Sequence, residues 1–391
     1  MSLLRSVIRE LRGAERDAAF WSPGSRYATY AGLAVTQETA MTCSAVYAAV
    51  SLISETIATL PVDVVQRYAD GSRYARPKPI WMSSPNEAIG LDWPGLVQQT
   101  MTSLLLDGNA FIGVARDAQR QPVALWPLDP QRVTVELDYQ RGVVRYFAAA
   151  RDGRAELERA DLLHIRGLTM PGQLRGLSPV EQARQSLGRT LAAERFGATM
   201  FRRLAAPGVV ITSDKVVTEE QARALAERFD AAHAGSENSF RTVVLGSGAQ
   251  LHTVTLTPEQ VQMIETMRYG VLDVARWYRI PPYMLDPSVS STWGSGIAEQ
   301  SIQTVQYMLA PWTVRLQHAF ERLLYETYLD QSYTARFDFR AFLRADPEKQ
   351  AKYLEAKLRC RAMVPNDWRA LDDENPLPDG GEPLWSVQWQ R

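Results

Sequence analysis

The residues of this sequence that could carry out chemistry are four histidines and two glycine-rich turns that contain serine. The histidines, at positions 164, 233, 252 and 318, share no ligand spacing, and the H-x-x-x-H pattern that places two imidazoles on one helical face does not occur. Structural or surface histidines are therefore the preferred interpretation. We expect no metal ion and no cofactor.

Each of the two serine-containing turns lacks part of the catalytic signature that it resembles. Gly246-Ser247-Gly248 follows a predicted strand but lacks the third glycine and the lysine of a phosphate-binding loop, so a tight turn is preferred. After Gly176-Leu177-Ser178, a proline and a valine break the G-x-S-x-G pattern of a nucleophile elbow. Ser178 instead begins a capping box with Glu181, which predicts the start of a helix. The sequence predicts no catalytic residue.

The composition is that of a folded protein rather than of a simple DNA-binding protein. The chain has 391 residues, of which 46% are hydrophobic and 22% charged, and its formal net charge is −1. A protein that binds duplex DNA by neutralising phosphates should be clearly basic, so this chain is not one. Its length predicts two or more substructures. The two cysteines are too few for a disulfide framework, and no apolar run is long enough for a membrane span.

Two predicted helices and the loop between them, within residues 258–329, organise the rest of the chain. Thr257-Pro258-Glu259-Gln260 caps the first helix, and Ile280-Pro281-Pro282 ends it. Residues 284–296 have no helical or strand period and are rich in serine and glycine, which predicts a flexible loop. The second helix begins at about Ile297, has an apolar stripe at steps of three and four, and should kink at Pro311.

Periodicity, caps and turn residues predict the other elements as an α+β chain. We expect the strands between residues 110 and 165 to form an antiparallel meander, and a small α/β insert at 205–256 to lie between two capped helices. The further predicted helices lie at 42–60, 94–106, 178–204, 218–232 and 346–363. The predicted strands lie at 62–67, 110–115, 123–126, 133–137, 143–148, 162–165, 208–212, 242–245, 251–256 and 335–339.

Six short stretches, taken in their order along the chain, resemble the portal proteins of tailed bacteriophages, in particular the family typified by phage HK97. They are residues 104–111 (LLLDGNAF), 127–130 (PLDP), 161–165 (DLLHI), 175–179 (RGLSP), 280–285 (IPPYML) and 342–346 (FLRAD). The resemblance covers roughly residues 42–382. Portals of domesticated phage-like particles, such as gene transfer agents, look the same, so the type of particle stays open.

This resemblance implies an α+β portal-protein fold with the subdomains of that family. They are an N-terminal arm (1–41), a β-rich wing (42–177), a stem of two helices (178–204 and 257–282), a small α/β clip (205–256), a tunnel loop (283–296), a long kinked helix with the second part of the wing (297–345), and a short helical crown with the C-terminal tail (346–391).

The resemblance also implies a function that is structural and not enzymatic. Portal proteins form a ring, expected to have twelve subunits, at one capsid vertex of the virion, after assembly in the cytoplasm of the bacterial host. Double-stranded DNA passes through the ring during packaging and ejection. The implied partners are the large terminase, the head-tail adaptor or connector, and the major capsid protein or scaffold. No membrane partner is expected.

Three groups of residues are the candidate sites under this interpretation. The tunnel loop would line the DNA channel with Ser288, Ser290, Ser291, Thr292 and Trp293; having no cation, it could touch DNA without gripping it. The clip would bind partner proteins through Glu219, Glu220, Arg223 and Arg241. A neighbouring subunit would meet Val271, Val274 and Tyr278. The bland alternative for the tunnel loop is a plain surface connection, and that for Trp293 is packing against a neighbouring long helix.

Two competing functions remain open at this point. A DNA-processing enzyme would need clustered carboxylates for two metal ions or a nucleotide-binding loop, and neither pattern is visible in the sequence. A capsid or tail ring without a channel would also fit a structural protein, and an image of the assembled particle would distinguish it from a portal.

Overall fold

The computed structural model describes residues 27–68, 72–150, 153–203, 209–213, 223, 249–253, 258–286, 303–339, 347–360, 362–371 and 375–377. The chain divides into two compact units. The larger unit combines Met1–Gly188 with Val271–Arg391, and the smaller is Arg189–Gly270.

The described part of the chain is α+β, as the sequence predicts. Its helices are α1 (Gln37–Met41), α2 (Ser44–Ala58), α3 (Ile80–Ser83), α4 (Trp93–Asp107), α5 (Pro179–Gln182), α6 (Arg184–Arg203), α7 (Pro258–Tyr278), α8 (Ala310–Tyr328), α9 (Pro347–Arg359) and α10 (Pro365–Leu371). Its strands are β1 (Val62–Arg67), β2 (Arg73–Arg76), β3 (Asn109–Arg116), β4 (Pro122–Leu128), β5 (Val133–Asp138), β6 (Val143–Ala150), β7 (Gly153–Leu157), β8 (Leu162–Arg166), β9 (Val209–Ser213), β10 (Ala249–Thr253) and β11 (Tyr333–Phe337).

Local sequence signals explain the buried face of α2 and the two ends of α4. The apolar positions of α2, spaced three and four apart, are buried as predicted. Helix α4 begins where an oxygen of Asp92 accepts from the Gly95 amide, with Pro94 in the first turn. It ends at Gly108, whose φ of 76° is the left-handed conformation that glycine adopts without strain.

The strands of the larger unit form three antiparallel sheets with the orders β11-β1-β2, β4-β3-β8 and β5-β6-β7. The predicted hairpin around residues 70–71 is confirmed by the pairing of β1 with β2, although the turn itself lies outside the described residues. The predicted meander is wrong as a whole, since only β5-β6-β7 is one.

Strand β8 returns to pair with β3, which places His164 opposite Phe111. The first six residues of β3 are buried, so this strand forms the centre of its sheet and needs a partner on each edge. Strand β7 was not predicted, because its five residues include no β-branched or aromatic side chain.

An aromatic cluster joins the helices of the larger unit. Phe320 of α8 is fully buried, and its ring lies 6.2 Å from that of Trp81 and 4.9 Å from that of Trp93, measured between centroids. The indole N–H of Trp81 donates to the Thr327 hydroxyl at 3.1 Å. Aromatic pairs stabilise a fold beyond the free energy gained by burying their apolar surface. This cluster therefore holds α8 against the start of α4.

The long helix is irregular directly before Pro311, where the sequence predicts a kink. The described chain forms a π-helical segment, Thr304–Leu309, and Pro311 then lies in the first turn of α8. The Ala310 amide donates to the Val305 carbonyl, five residues back, so the wider turn absorbs the interruption of the hydrogen-bond ladder. The apolar stripe of α8 is buried as predicted, and the start of the long helix lies outside the described residues.

One predicted helix is divided in the structure, and another ends before its predicted last residue. Ser178 caps the first as predicted, but a turn at Ala183 separates α5 from α6. The C-terminal helix ends at Arg359, and Pro365 begins the separate helix α10, because proline fits the first turn of a helix better than its interior.

The smaller unit contains the antiparallel pair β9–β10 and the adjoining parts of α6 and α7. Strand β9 agrees with the predicted 208–212 within one residue, and β10 begins two residues before the predicted 251, whereas residues 254–256 lie outside the described residues. The predicted helix at 218–232 lies outside the described residues except for Arg223, which is helical and exposed, and so does the strand at 242–245. A Cβ atom on Gly270 would lie 2.7 Å from the Thr190 hydroxyl oxygen, so α6 and α7 approach closely at this point.

None of the helices within the described ranges has the length and hydropathy needed to cross a lipid bilayer.

Candidate functional site

Four of the six family-like stretches meet at one buried polar junction between α4 and β3. The centre of the junction is Asn109, which is 1% exposed. Its amide group donates to the Gly176 carbonyl at 3.0 Å, and its oxygen accepts from the Gly176 N–H at 2.6 Å. His164 and Arg175 complete the junction, and a guanidinium N–H of Arg175 reaches the Pro130 carbonyl at 3.2 Å. The stretches involved are 104–111, 127–130, 161–165 and 175–179.

Arg175 and Asp107 form the charged pair of this junction. A guanidinium nitrogen of Arg175 lies 2.7 Å from an oxygen of Asp107, and another donates to the Val133 carbonyl. The guanidinium also lies 5.4 Å from the centre of the Phe111 ring. The second oxygen of Asp107 accepts from Gln37 at 3.2 Å. Paired, hydrogen-bonded charges of this kind fix the relative positions of α4, β5 and the segment before α5.

Two glycines allow the chains of the junction to touch. A Cβ atom on Gly108 would lie 2.0 Å from the Leu177 carbonyl oxygen, and one on Gly176 would lie 2.2 Å from the Gly108 carbonyl oxygen. Ser178 follows directly: its hydroxyl donates to the Leu106 carbonyl at 2.7 Å and accepts from the Glu181 amide at 3.2 Å. Ser178 is therefore a helix cap, as predicted, and its hydroxyl joins α5 to the end of α4.

His164 is a neutral structural residue of the same junction. Its ring stacks on Phe111 with the centroids 4.3 Å apart. One ring nitrogen lies 3.1 Å from the Asn109 oxygen, which can only accept, so that nitrogen carries the proton. Burial, and then the nearby charges of Arg166 and Arg175, lower the pKa of His164 to about 3. The imidazole is therefore uncharged at neutral pH and suited to packing.

The other histidines do not add a site within the described residues. His318 is exposed and lies 3.0 Å from Glu321. The side chains of His233 and His252 lie outside the described part of the chain. Among the described residues, no group of three histidine, cysteine, aspartate or glutamate side chains is arranged to hold a metal ion.

A second charged network attaches α8 to the sheet β4-β3-β8. Arg116 pairs with Asp161 at 2.8 Å and with Glu326 at 2.7 Å. The other oxygen of Glu326 pairs with Arg322 at 3.1 Å. The remaining N–H groups of Arg322 donate to the carbonyls of 159, 160 and 162. The side chain of Arg116 is only 10% exposed, so its ion pairs are partly buried, unlike a solvated surface pair, and they hold α8 against the sheet.

The predicted tunnel-loop and clip residues mostly lie outside the described residues. This holds for Ser288, Ser290, Ser291, Thr292 and Trp293 of the loop and for Glu219, Glu220 and Arg241 of the clip. Arg223 is described as helical and exposed. Both sites therefore stay predictions. The chain before the loop forms a 3-10 turn, Pro282–Met284, after the predicted proline stop.

The structure corrects the predicted subunit contact. Val274 is 1% exposed and Tyr278 7% exposed, because both pack inside their own chain. The Tyr278 hydroxyl donates to the Leu105 carbonyl at 3.2 Å, and burial raises the pKa of this phenol. Val271 is half-buried. Helical periodicity identifies an apolar face but not whether the same chain or a neighbour covers it.

The polar junction itself was not predicted as a site. In the sequence, these stretches indicate only a resemblance to a family and the positions of helix caps. The sequence does contain a signal for it. Asp107 and Asn109 flank the helix-ending Gly108, directly between a run of three leucines and a buried strand. Polar residues between two apolar segments of this kind indicate a buried polar contact rather than an exposed loop.

The chain belongs to the phage portal protein family, whose model matches residues 44–373. It is 34% identical to the probable portal protein of Streptomyces phage phiC31 over 359 residues, which cover 89% of this chain and 78% of that protein. It is 28% identical to the portal protein of Enterobacteria phage HK97, over 94% of this chain and 87% of that one. It is thus an HK97-family portal protein, as the short stretches predicted, and the family is structural rather than enzymatic.

Solved structures agree on the fold. The neck of an empty gene transfer agent particle, computed with C6 symmetry, matches with a TM-score of 0.66 at 20% identity, over 96% of this chain and 100% of that chain. An HK97-family portal protein from Corynebacterium diphtheriae matches with a TM-score of 0.50 at 18% identity, over 80% and 98% respectively.

Proposed function

We propose that this portal protein assembles as a closed ring at one vertex of a capsid and forms the channel through which double-stranded DNA enters and leaves. The observation that carries the proposal is the match of residues 44–373 to the portal family. Structures of gene transfer agent necks that share the fold were computed with C12 and C6 symmetry, which supports a twelvefold ring. A net charge of −1 suits a conduit better than a protein that grips DNA.

The long helix offers a surface for the neighbouring subunit. Tyr307 is 62% exposed, Val314 47% and Tyr325 45%. Val314 and Tyr325 are eleven residues apart, which places them on about one face of α8, and Tyr307 lies in the π-helical segment directly before this helix. Large exposed apolar side chains aligned in this way are typical of interaction surfaces. We assign this face, in place of Val274 and Tyr278, to the contact that closes the ring head to tail.

The channel and docking roles follow the family anatomy. Residues 283–296 form the tunnel loop of the bore in this proposal, and residues 205–256 form the clip that docks the large terminase and later the head-tail adaptor. The clip segment has four basic and six acidic residues, a mixed surface that suits a protein partner better than DNA. The major capsid protein or scaffold surrounds the ring at the vertex.

Negative-stain images and native mass spectra of the purified chain test this proposal. We expect rings of about twelve subunits with a central bore, since a heterologous interface that closes gives a cyclic assembly. The variant Y307S/V314S/Y325S should give folded chains and fewer rings. Only monomers and dimers of the wild type at micromolar concentration would contradict the proposal.

The type of particle is the second question, because portals of gene transfer agents share this fold. Sequencing the DNA protected inside producing particles separates the two. One viral genome in all particles indicates a phage, and random fragments of host DNA indicate a gene transfer agent. A ring that is present in particles but has no bore and no effect on DNA content would instead indicate a capsid or tail ring without a channel role.

A further inference from the structure

A cationic cavity of about 200 Å³ opens on the larger unit, beside the polar junction. It lies between strands β6 and β8, the 3-10 turn Arg159–Asp161 and helix α8. The cavity is lined by Val144, Tyr146, Arg159, Leu162, His164, Arg166, Leu174 and Arg322. Three of these eight side chains are arginines and none is acidic, so the walls carry positive charge without a lining carboxylate.

One of the three arginines already has its partners. Arg322 pairs with Glu326 and donates to three backbone carbonyls of the turn before β8. Glu326 also pairs with Arg116, so its two oxygens are both used by arginines. This arginine therefore shapes the wall of the cavity and is not available to a further anion.

The other two arginines have no such partner. Arg159 and Arg166 are both exposed, and their guanidinium groups form no ion pair or hydrogen bond with any residue that the structure describes. The two carboxylates nearest in sequence to Arg159 have other partners: that of Glu158 lies 3.6 Å from a guanidinium nitrogen of Arg120, and that of Asp161 pairs with Arg116 at 2.8 Å. Both guanidinium groups line one cavity and have no carboxylate of their own, and a guanidinium binds the planar carboxylate group well.

The other two polar side chains that line the cavity, Tyr146 and His164, are neutral and are held in place by neighbouring groups. The Tyr146 hydroxyl lies 3.4 Å from a nitrogen of His164, whose other nitrogen is held by Asn109. The rest of the lining is the apolar surface of Val144, Leu162 and Leu174. A ligand with a short apolar stem and one charged end fits such walls better than a bare inorganic ion does.

We propose that this cavity receives the carboxylate of an aspartate or glutamate side chain from a neighbouring copy of the chain, an inference that rests on the proposed ring. In a head-to-tail ring, each copy contacts the next through two different surfaces. The cavity of one copy can therefore face an acidic side chain of the next copy instead of facing the same cavity. A water molecule takes up about 30 Å³ of liquid, so the cavity has room for one carboxylate and a few waters. Duplex DNA, whose major groove alone is about 12 Å wide, cannot enter it.

The experiment compares R159Q/R166Q with the control R67Q/R73Q, which removes the same charge from two exposed arginines elsewhere on this unit. Circular dichroism checks that each variant folds. Native mass spectrometry measures the protein concentration at which half of the chains are in rings. We expect this midpoint to rise by about tenfold or more in R159Q/R166Q, equivalent to the loss of about one charged contact per interface, and to stay within about twofold in the control.

A second readout uses glutarate, a soluble mimic of the glutamate side chain, titrated into the chain below the concentration at which rings form. Binding that is lost in R159Q/R166Q and kept in R67Q/R73Q supports a carboxylate site. If glutarate and inorganic phosphate bind equally and the ring midpoint is unchanged, the cavity holds a free anion and the contact between copies is overturned. An unchanged midpoint without glutarate binding also overturns the proposal. A wild-type chain that forms no ring at any concentration contradicts the proposed function and the neighbouring copy as occupant.

Discussion

Asn109 and Gly176 exchange two hydrogen bonds, with the side-chain amide of Asn109 pairing with the backbone N–H and carbonyl of Gly176 at 2.6 Å and 3.0 Å. The side-chain amide thus pairs with Gly176 as a backbone peptide group would. Through this pair, the start of β3 is attached to a segment 67 residues further along the chain.

Replacing Asn109 should destabilise the larger unit. Asn109→Ala leaves the Gly176 N–H and carbonyl buried without their partners and also removes the acceptor of His164. We expect a loss of about 2–4 kcal/mol in the free energy of unfolding, the cost of several unpaired buried groups. Denaturant unfolding measures it. Asn375→Ala is the control, since Asn375 is exposed, and it should change the free energy by less than about 0.5 kcal/mol. Equal effects of the two changes would contradict the role of the junction.

Two glycines with similar backbone angles should differ sharply in their tolerance of alanine. Gly108 has a φ of 76° and Gly142 a φ of 66°, so alanine pays a similar backbone penalty of about 1 kcal/mol at either position. Only at Gly108 would the new Cβ meet a carbonyl oxygen, at 2.0 Å, whereas nothing lies within 4 Å at Gly142. We expect Gly108→Ala to prevent soluble expression or lower the melting temperature far more than Gly142→Ala. Similar melting temperatures for the two variants would show that the close approach can relax.

The stability of the chain should fall as the pH drops from about 6.5 to about 3, in part because of His164. Its pKa is lowered to about 3 in the folded state, so in this range the unfolded chain takes up a proton that the folded chain does not. Each pH unit within the window therefore costs up to about 1.4 kcal/mol, and nothing is lost above it. His164→Gln removes the titrating group, so the variant should be less stable at neutral pH and lose less on acidification.

The comparison of His164→Gln with the wild type is needed because other groups respond to acid. The pKa of Glu156 is lowered by its bond to Arg145, and that of Asp330 by its bonds to Ser332. Both remain in the variant. Parallel curves of melting temperature against pH for the two proteins would mean that His164 contributes nothing to the acid sensitivity.

Shortening the predicted tunnel loop should separate assembly from DNA handling. Deleting residues 288–295 removes the serines, the threonine and Trp293 that the proposal places in the bore. We expect rings to form as in the wild type and the nuclease-protected DNA in particles to decrease. Protected DNA of wild-type amount and length would refute the channel assignment. Loss of the ring itself would favour a packing role for Trp293 against a neighbouring helix.

Charge reversal in the predicted clip should weaken a partner without breaking the ring. Glu219→Lys together with Glu220→Lys changes two acids at the predicted start of a helix in a segment that we assign to terminase docking. We expect a pull-down with the large terminase to recover several-fold less complex, while native mass spectra still show rings. The same reversal at Glu55 and Asp63, two exposed acids outside the clip segment, is the control. Unchanged recovery would remove these two residues from the docking surface.

Local signals in the sequence predicted those features that short-range physics decides. Proline pairs and glycine caps correctly predicted the end of α7 and the end of α4, because neither depends on distant residues. The alternation of apolar and polar residues identified most strands, and apolar residues spaced three and four apart identified the buried faces of α2 and α8. The order of short stretches was enough for the family, which the whole-chain comparison confirms.

Only the tertiary structure decided which of these pieces touch. The return of β8 to β3, and with it the stacking of His164 on Phe111, depends on a pairing across 53 residues that no local pattern encodes. The burial of Val274 and Tyr278 inside their own chain likewise depends on where α4 lies. Two arginines that are ordinary surface charges in the sequence become the rim of one cavity when β8 and the turn before it fold beside α8. Local sequence limits the conformations of each segment, whereas long-range packing selects which surfaces are covered and which remain for a neighbour.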